Sequence, residues 1–375
     1  MRDILLNNVF TMADKENRVY NFSAGPCTLP LDVLEEAQLE LVDYHNLGMS
    51  LLEMSHRGPV FKPIYEQTRE LALSLWGAPD DFDVLFLQGG ASGQFAMVPM
   101  NLLDENSQGA YINTGHWVKV AMNNAQFSGH IYEAWSGEKE GFVRTPESGE
   151  IKLKDNTRYV HLCSNETIGG LRFPTFPDLE APIVADMSSE MLARAIPWEK
   201  FDIVFGGAQK NLGPAGVTLV YIRKSILDSL NTALPRVFSY AIQQANQSMA
   251  NTPPVFCIWM VNKVLRWLER NGGVDEMQNR ATVRSKMLYD CIDTSDNFYQ
   301  CPINPAHRSQ MNIVYTLPTP ELEKTFLKQA ALRKLMHLRG HRIVGGIRAS
   351  LYNAMPLEGV DALVNFMREF KDKNG

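Results

Sequence analysis

The sequence predicts an α/β protein with two domains: a large one with a mostly parallel central sheet flanked by helices, and a smaller C-terminal α+β domain. Short β-branched runs alternate with helical segments from residue 83 to residue 222. These runs are apolar on both faces, which is typical of parallel strands that helices cover. After Pro254 the pattern changes to long amphipathic helices with a few strands. We therefore place the large domain at 20–270 and the small domain at 271–375, and leave open which domain the N-terminal segment contacts.

The individual elements follow from periodicity and from the glycines and prolines that bound them. In the large domain, helices are expected over 30–48 and 62–77, each ending at a glycine. The predicted strands occupy 83–87, 109–113, 157–163, 181–186, 202–206 and 217–222, with a helix after each of the first two. Further along the chain we expect helices over 255–271, 274–291 and 320–338, strands at 311–316 and 342–352, and a last helix after Pro356.

The bulk composition favours a soluble, cytoplasmic protein without a nucleic-acid or membrane partner. Of the 375 residues, 45% are hydrophobic, enough for two cores, and the formal net charge is −6. Five scattered cysteines without C-x-x-C spacing predict free thiols, and we expect no metal site. No apolar run reaches the roughly 18 residues of a membrane span. We expect residues 1–19 to form a loose leader.

Lys210 stands out because it follows a buried strand in a turn rich in glycine, "VFGGAQKNLGPAG" (204–216). A lysine at a strand end is most often a solvated surface residue. A phosphate-gripping P-loop lysine is poorly supported, because the G-x-x-x-x-G-K-[ST] spacing is absent. The third interpretation is a Schiff-base lysine, whose desolvated amine loses its proton and attacks an aldehyde. The choice among these depends on the surrounding motifs.

A pyridoxal phosphate site needs such an amine together with a carboxylate for the pyridine nitrogen, an aromatic face and phosphate-binding amides. Asp186 ends the apolar strand "IVAD", and Lys210 follows the next strand, so both are expected at one edge of the sheet. The turn "LQGGASGQF" (87–95) leads into a helix whose free N–H groups bind anions. Trp117, at the start of another helix, is a candidate stacking residue. Each feature alone has an ordinary structural explanation, and only their combination favours the cofactor.

The longer motifs resemble the phosphoserine aminotransferase family of fold-type I pyridoxal phosphate enzymes. The resemblance extends from about Tyr20 to the C terminus. It rests on "NFSAGPCTLP", "EMSHRG", "LQGGASGQF", "TGHW", "SNETIGG", "VADMSS", "GGAQKNLGPAGV", "NTPP" and "GHRIVGGIRASLYNAMP". The "SHRG" and "GHRIVGGIRAS" motifs separate this family from other aminotransferases better than the lysine does. The resemblance implies the fold-type I transferase fold and a homodimer with its active sites at the subunit interface.

By position, the resemblance implies three catalytic residues. Lys210 would hold the pyridoxal 5'-phosphate aldehyde and move the substrate's α-proton, Asp186 would pair with the pyridine nitrogen, and Trp117 would stack on the ring. The other implied cofactor contacts are Thr167 at the phenolic oxygen, Ala91, Ser92 and Gln209 at the phosphate, and Asn251 and Thr252 from the neighbouring subunit.

The resemblance also implies the reaction and the residues that bind substrate. The reaction is a reversible ping-pong transamination of 3-phosphohydroxypyruvate with L-glutamate, giving O-phospho-L-serine and 2-oxoglutarate, as in serine biosynthesis. Arg348 would bind the α-carboxylate as a bidentate fork. The pairs His56–Arg57 and His341–Arg342 would bind the distal anion, one of them across the dimer interface. Whether the 4-phosphohydroxy-threonine pair of vitamin B6 synthesis also reacts is left open.

The sequence departs from the family at two positions, and it leaves two classes of alternative function open. Some members carry arginine in place of Ser92 and serine in place of Ala24, which affects relative affinities rather than reaction type. The nearest alternatives are other fold-type I enzymes, such as alanine–glyoxylate aminotransferase or cysteine desulfurase. A neutral substrate would give the paired His-Arg motifs no purpose. The alternative from a different class is a non-catalytic α/β binding protein, although the G-x-G-x-x-G fingerprint is missing.

Overall fold

The computed structural model describes residues 18–375. The predicted leader therefore lies outside the described residues, apart from positions 18 and 19. The helices are α1 (Leu31–Leu41), α2 (Phe61–Leu75), α3 (Gly90–Leu102), α4 (His116–Ala125), α5 (Tyr240–Ala245), α6 (Val255–Arg270), α7 (Gly273–Asp293), α8 (Pro320–Leu332) and α9 (Leu357–Asn374).

Thirteen strands are present in the described part of the chain. They are β1 (Tyr20–Asn21), β2 (Phe82–Leu87), β3 (Gln108–Asn113), β4 (His130–Ser136), β5 (Thr157–Cys163), β6 (Asn165–Glu166), β7 (Leu171–Arg172), β8 (Ile183–Asp186), β9 (Phe201–Gly207), β10 (Thr218–Arg223), β11 (Asn312–Tyr315), β12 (Leu335–Met336) and β13 (Ile347–Ser350).

The central feature is a seven-stranded sheet in the order β2-β10-β9-β8-β5-β3-β4. Strand β10 pairs antiparallel with both β2 and β9, whereas the remaining pairs are parallel. Six strands therefore run in one direction and only β10 opposes them. The carboxyl ends of β2, β3, β5, β8 and β9 meet at one edge, where open α/β sheets bind ligands.

Apolar side chains cover both faces of this sheet, as the uniformly buried strands require. One cluster packs residues of α2 and α6, such as Phe61 and Trp259, against the sheet. The opposite cluster contains Phe95 and Val98 of α3 with Val118 of α4. These two layers confirm the predicted α/β class, because a strand with both faces buried needs helices on both sides.

The C-terminal part has its own core. Helices α7, α8 and α9 pack around the antiparallel pair β11–β13 through residues such as Leu288, Phe326 and Phe366. The N-terminal strand β1 pairs parallel with β12, and Phe22 is buried in this second core. The first described residues thus lie next to the C-terminal part, before the chain enters the large sheet.

Several predicted boundaries were wrong for local reasons. Helix α1 ends at Leu41 instead of reaching Gly48, because His45 and Asn46 adopt positive φ angles of 51° and 60°. The predicted helix over 320–338 stops at Leu332, and the following residues form β12. Of the predicted strand at 342–352, only Ile347–Ser350 is extended and paired.

The sequence interpretation also omitted one strand of the main sheet. Strand β4 lies at the edge beyond β3, and much of it is only partly buried. Its apolar signal is therefore weaker than that of the central strands. Among residues 18–375, no helix is long and apolar enough to cross a bilayer.

Candidate active site

A cavity of about 250 Å³ opens at the carboxyl edge of the sheet. The loops that follow β2, β3, β5, β8 and β9 surround it. The lining residues are Gly89, Gly90, Ala91, Ser92, Trp117, Cys163, Thr167, Asp186, Ser188, Ser189, Gln209 and Lys210. Seven of the residues predicted to bind the cofactor therefore line one cavity.

Lys210 lies in the turn after β9 and directs its amine toward the loop that follows β5. Its Nζ donates a hydrogen bond to Thr167 Oγ1 at 2.7 Å. Burial lowers the pKa of the Lys210 ammonium, while the charge of Asp186 acts against that shift. Gly25 permits this placement, because a Cβ there would lie 3.2 Å from Lys210 Cγ, and its φ of +136° is unfavourable for other residues.

Asp186 ends β8, the strand next to β9 in the sheet. The carboxylate is 4% exposed and accepts the backbone N–H of Ser188 at 2.9 Å. Burial raises the pKa of Asp186, and the positive charge of Lys210 opposes the rise. A buried carboxylate in this position gains stability from a cationic partner.

A second buried carboxyl group, Glu166, lies beside the same cavity. It forms β6, and its Oε2 accepts the backbone N–H of Trp117 at 3.4 Å, at the start of α4. Its other oxygen, Oε1, is buried without a hydrogen-bond partner in the described structure. Burial raises the pKa of Glu166 to about 7, while the N–H groups of Trp117 and Val118 favour the charged form.

The glycine-rich turn after β2 begins α3 with exposed amides. Gly89 and Gly90 have φ angles of 99° and 64°, and the helix starts at Gly90 without a side-chain cap. The N–H groups of Ala91 and Ser92 belong to the first turn, where no intrahelical acceptor is available to them. This arrangement gives the cavity an anion-binding end.

Trp117 also lines the cavity, from the first turn of α4. Its indole Nε1 is buried and has no hydrogen-bond partner within the described structure. A buried indole N–H normally finds an acceptor. The donor therefore fits a ligand that carries an acceptor beside the ring.

Basic side chains from β13 and the segment before it lie beside residues that line the cavity. Arg348 Nη1 donates to the backbone oxygen of Thr167 at 3.3 Å. The ring of His341 lies 5.9 Å from that of His116, centroid to centroid. The charge of Arg342 lowers the pKa of both imidazoles, in addition to the effect of burial.

Seven predicted site residues do not line this cavity: Arg348, His341 and Arg342, which lie beside it, and Asn251, Thr252, His56 and Arg57. Asn251 bonds to Gln88 and Gln243 next to a separate small cavity. Thr252 follows it and is exposed. Within residues 18–375, no hydrogen bond or ion pair joins His56 or Arg57 to Lys210, Thr167 or Arg348, and His56 Nε2 is buried without a partner.

The sequence interpretation missed three residues at the site: Glu166, His116 and Cys163. Glu166 had a usable signal, because it stands between two residues of a predicted motif that follows a buried strand. His116 is adjacent to Trp117, but a single histidine at a helix start carries little information. Cys163 ends β5, and burial raises the pKa of its thiol well above the ordinary value.

Comparison with known proteins agrees with this geometry. The family model described as aminotransferase class-V matches residues 19–363, so the fold and the site define a class-V aminotransferase. The phosphoserine aminotransferase of Nitrosomonas europaea is 48% identical, over 94% of this chain and 98% of its own. The Bacillus subtilis enzyme of the same name is 43% identical, over 95% and 99%. The chain belongs to the phosphoserine aminotransferase family.

Solved structures support the same assignment. A phosphoserine aminotransferase from Bacillus circulans subsp. alkalophilus superposes with a TM-score of 0.93 and 46% identity, covering 96% of this chain and 99% of that one. The pyridoxal phosphate-bound phosphoserine aminotransferase from Trichomonas vaginalis gives a TM-score of 0.89 at 38% identity, over 94% and 100%. The predicted fold-type I transferase fold is therefore confirmed.

Proposed function

We propose that the chain catalyses reversible transamination between L-glutamate and 3-phosphohydroxypyruvate, giving 2-oxoglutarate and O-phospho-L-serine, with pyridoxal 5'-phosphate as cofactor. The observation that carries the proposal is the half-buried Lys210 amine in one cavity with the Asp186 carboxylate, at the ends of adjacent parallel strands. The glycine-rich turn and the unpartnered indole N–H of Trp117 also fit this cofactor. We further propose a cytoplasmic location.

The residues of the cavity match the parts of the cofactor one by one. Asp186 would keep the pyridine nitrogen protonated, Trp117 would cover one face of the ring, and Thr167 would bond the phenolic oxygen. The amides of Ala91 and Ser92, with the Gln209 side chain, would hold the phosphate. When bound, pyridoxal phosphate withdraws electrons from the substrate's α-carbon and makes its C–H bond acidic.

Lys210 has two tasks in this proposal. Its Nζ would hold the cofactor's aldehyde and, once displaced by the substrate's amino group, would take the proton from the α-carbon. Both tasks need a neutral amine, and burial lowers the pKa of Lys210 in that direction. The hydrogen bond to Thr167 aims the amine toward the cavity. The Nζ atom of Lys210 would therefore move the proton in both half-reactions.

Two successive substrates must share the substrate side of the site. Glutamate and phosphoserine both carry an α-carboxylate and a second anion at the far end. We propose that Arg348 binds the α-carboxylate and that His341–Arg342 and His56–Arg57 bind the distal anion. The role proposed for Arg348 is supported by its hydrogen bond to the backbone oxygen of Thr167, whose hydroxyl accepts a hydrogen bond from Lys210.

A homodimer completes the proposed site. Asn251, Thr252, His56 and Arg57 do not line the cavity of their own chain. The neighbouring subunit is therefore proposed to supply Asn251 and Thr252 to the cofactor phosphate and one His-Arg pair to the substrate. Exposed apolar side chains such as Leu39 and Val42 lie in the segment that leads to His56, and burial of that segment against a second copy would remove them from water.

The other aminotransferase-like functions fit the site less well. A cysteine desulfurase uses a reactive thiolate on a mobile loop, whereas Cys163 is buried at the end of β5 and burial keeps its thiol protonated. Burial likewise raises the pKa of Cys27 to about 12. The basic residues near β13 would serve no purpose for alanine or glycine.

The first test compares wild type with Lys210→Ala, and with Lys328→Ala as an exposed control on α8. Purified wild type should absorb in the visible range, and borohydride should abolish that band. Glutamate-dependent single turnover should be rapid with 3-phosphohydroxypyruvate and slow with hydroxypyruvate, and it should be absent in Lys210→Ala. We expect a loss of at least about 10⁴-fold, because the nucleophile and the proton acceptor are removed together.

The results separate the levels of the proposal. Equal use of both keto acids would contradict the proposed preference for a phosphorylated substrate but would agree with an aminotransferase activity. Colourless protein without turnover would favour the non-catalytic binding protein. The 4-phosphohydroxy-threonine pair can be assayed in the same way. We expect turnover if its phosphate and its α-carboxylate are about as far apart as those of phosphoserine.

A further inference from the structure

Four basic residues, His116, His341, Arg342 and Arg348, lie next to residues that line the cavity or to one another, and we call them the basic rim. His116 is the first residue of α4 and precedes Trp117, a cavity-lining residue. Its ring contacts the His341 ring at 5.9 Å between centroids, with a tilt of 38°. Arg348 connects the rim to the catalytic lysine through Thr167. His116 therefore lies on the substrate side of the cofactor cavity.

The basic rim has no acidic partner in the part of the chain that the structure describes. No ion pair joins any of its four side chains to a carboxylate. The charges that shift the pKa of His116 are those of Arg342 and Lys119, and both lower it in addition to burial. In a protein with a net charge of −6, a group of basic side chains without acidic partners beside a cavity indicates an anion site.

The groups around His116 leave its ring available to that anion. His341 and Arg342 face it from the segment before β13, and Lys119 lies one turn along α4. Lys119 is already paired with Glu138 at 2.6 Å. The nearby Glu166 carboxylate accepts the backbone N–H of Trp117 and makes no hydrogen bond to the imidazole of His116.

We propose that His116 is a specificity-determining residue that takes up a proton when a phosphate dianion binds at the basic rim, and thereby favours the phosphorylated amino acid over glutamate. This inference rests on the proposed function. His116 takes this proton from solvent. The resulting imidazolium supplies one further positive charge and a second N–H donor. No bond to the substrate forms or breaks in this step.

The charge difference between the two substrates makes the effect selective. A phosphate monoester carries a charge of about −1.5 to −2 at neutral pH, whereas the glutamate side chain carries −1. The positive neighbours of His116 and its burial favour the neutral ring in the free enzyme. A bound phosphate dianion attracts the positively charged form of the ring and therefore raises the pKa of His116. A single carboxylate carries less negative charge, which Arg342 already offsets, so it raises that pKa much less.

The test compares wild type, His116→Gln and the control His130→Gln as holoenzymes. His130 is an exposed histidine at the start of β4. It therefore lies at the amino ends of the parallel strands, whereas the cavity lies at their carboxyl ends. We expect His116→Gln to lower kcat/KM for phosphoserine about tenfold near pH 7 and to change kcat/KM for glutamate less than about twofold. In wild type, the preference for phosphoserine should fall as pH rises from about 7 to about 9, and in the variant it should be flat.

Proton uptake gives a readout independent of turnover. The inert probes are 3-phosphoglycerate, which carries a phosphate and a carboxylate, and glutarate, which carries two carboxylates; neither has an amino group. Calorimetric titration in buffers with different ionisation enthalpies should show up to about one more proton taken up with 3-phosphoglycerate than with glutarate. His116→Gln should lose this difference, and His130→Gln should keep it.

Each other outcome overturns the inference. If His116→Gln keeps both the pH-dependent preference and the extra proton, another group such as His341 is responsible. If His116→Gln lowers kcat/KM equally for phosphoserine and glutamate, His116 only supports the start of α4. His116→Asn serves as a second variant if the first loses its visible band. Absence of phosphoserine turnover in wild type, with another amino acid accepted, would instead contradict the proposed function.

Discussion

Lys210 is surrounded by two buried carboxyl groups, and they differ in what they contact. Asp186 ends a strand and accepts a backbone N–H from Ser188. Glu166 is 1% exposed and caps the start of α4, with one oxygen unpartnered among the described residues. Burial raises the pKa of both carboxyl groups. Since Asp186 lines the cavity and Glu166 does not, we expect Asp186 to contact the pyridine ring of the cofactor, whereas Glu166 supports the start of α4, which carries Trp117.

Glu166→Gln should change how stability depends on pH. Burial raises the pKa of Glu166 to about 7 in the folded state, so its protonated form is favoured there. That stabilisation is fully present below the unfolded pKa, 4.5, and is lost as pH rises through about 7, a difference of roughly 3 kcal/mol. Glutamine is neutral throughout, so the variant should lack this loss.

Urea unfolding of the apoprotein between about pH 5 and pH 8 measures the effect. The free energy of unfolding of wild type should fall relative to that of the variant as pH rises. Glu105→Gln, an exposed position, should follow wild type. Parallel curves for Glu166→Gln and wild type would show that the carboxyl is already charged at low pH, contrary to this account.

The site residues that could be predicted from the sequence are those whose local motif indicates their chemical role. Lys210 and Asp186 were placed at one sheet edge, because strand direction fixes where side chains after parallel strands meet. His116 was not found, because its importance depends on partners from a distant segment, whereas Glu166 stands in a predicted motif that could have indicated it. The contact of His116 with His341, for example, joins α4 to the loop before β13.

At the scale of elements, the start of α4 controls the position of Trp117. Gly115 precedes the helix with φ 156° and ψ −154°. A Cβ at that position would lie 2.9 Å from Glu166 Cδ, closer than atoms can approach without movement. The glycine therefore lets the helix start pack directly on the buried carboxyl group.

Gly115→Ala should destabilise the protein and loosen the cofactor. We expect a loss of roughly 1–3 kcal/mol in the free energy of unfolding, because the added methyl group strains the backbone and displaces either Glu166 or α4. Pyridoxal phosphate should also dissociate faster, as Trp117 moves with the helix. The control is Gly149→Ala, where nothing lies within 4 Å of an added Cβ.

Urea unfolding and the rate of loss of the visible absorbance on dialysis provide the two measurements. If Gly115→Ala matched Gly149→Ala in both, the close packing of Gly115 on Glu166 would have no energetic role.

Sequence periodicity predicted the central strands well and the sheet's edges poorly. Strands β5, β8 and β9 are almost entirely buried, so composition alone indicates them. Strand β4 is half-buried and was omitted, and the opposite direction of β10 has no signature in a two-face-buried run. Pairings such as β1 with β12 join distant segments, so local patterns contain no information about them.

At the scale of the whole molecule, we propose that the site combines residues from two chains. The cavity of one chain contains Lys210 but not Asn251, which follows α5 and bonds to Gln88 and Gln243. Leu39 and Val42 are 82% and 81% exposed. Exposed apolar side chains in the segment before His56 are consistent with an isologous interface, in which each subunit would complete the other's site.

Subunit complementation tests this sharing directly. Lys210→Ala lacks the reactive amine, and Asn251→Ala should lose pyridoxal phosphate readily if Asn251 holds its phosphate. Suppose that Asn251 serves the neighbouring subunit. A mixed dimer of the two variants then has one site with both residues intact, whereas the other site lacks both. Unfolding and refolding an equal mixture should therefore recover up to about a quarter of wild-type activity, since about half of the dimers are mixed and each has one working site. If Asn251 instead acts within its own chain, neither site of the mixed dimer contains both residues, and the mixture should be no more active than the separately refolded variants. Light scattering during chromatography would establish that the refolded species are dimers, so that a failure to recover activity could be assigned to the site and not to assembly.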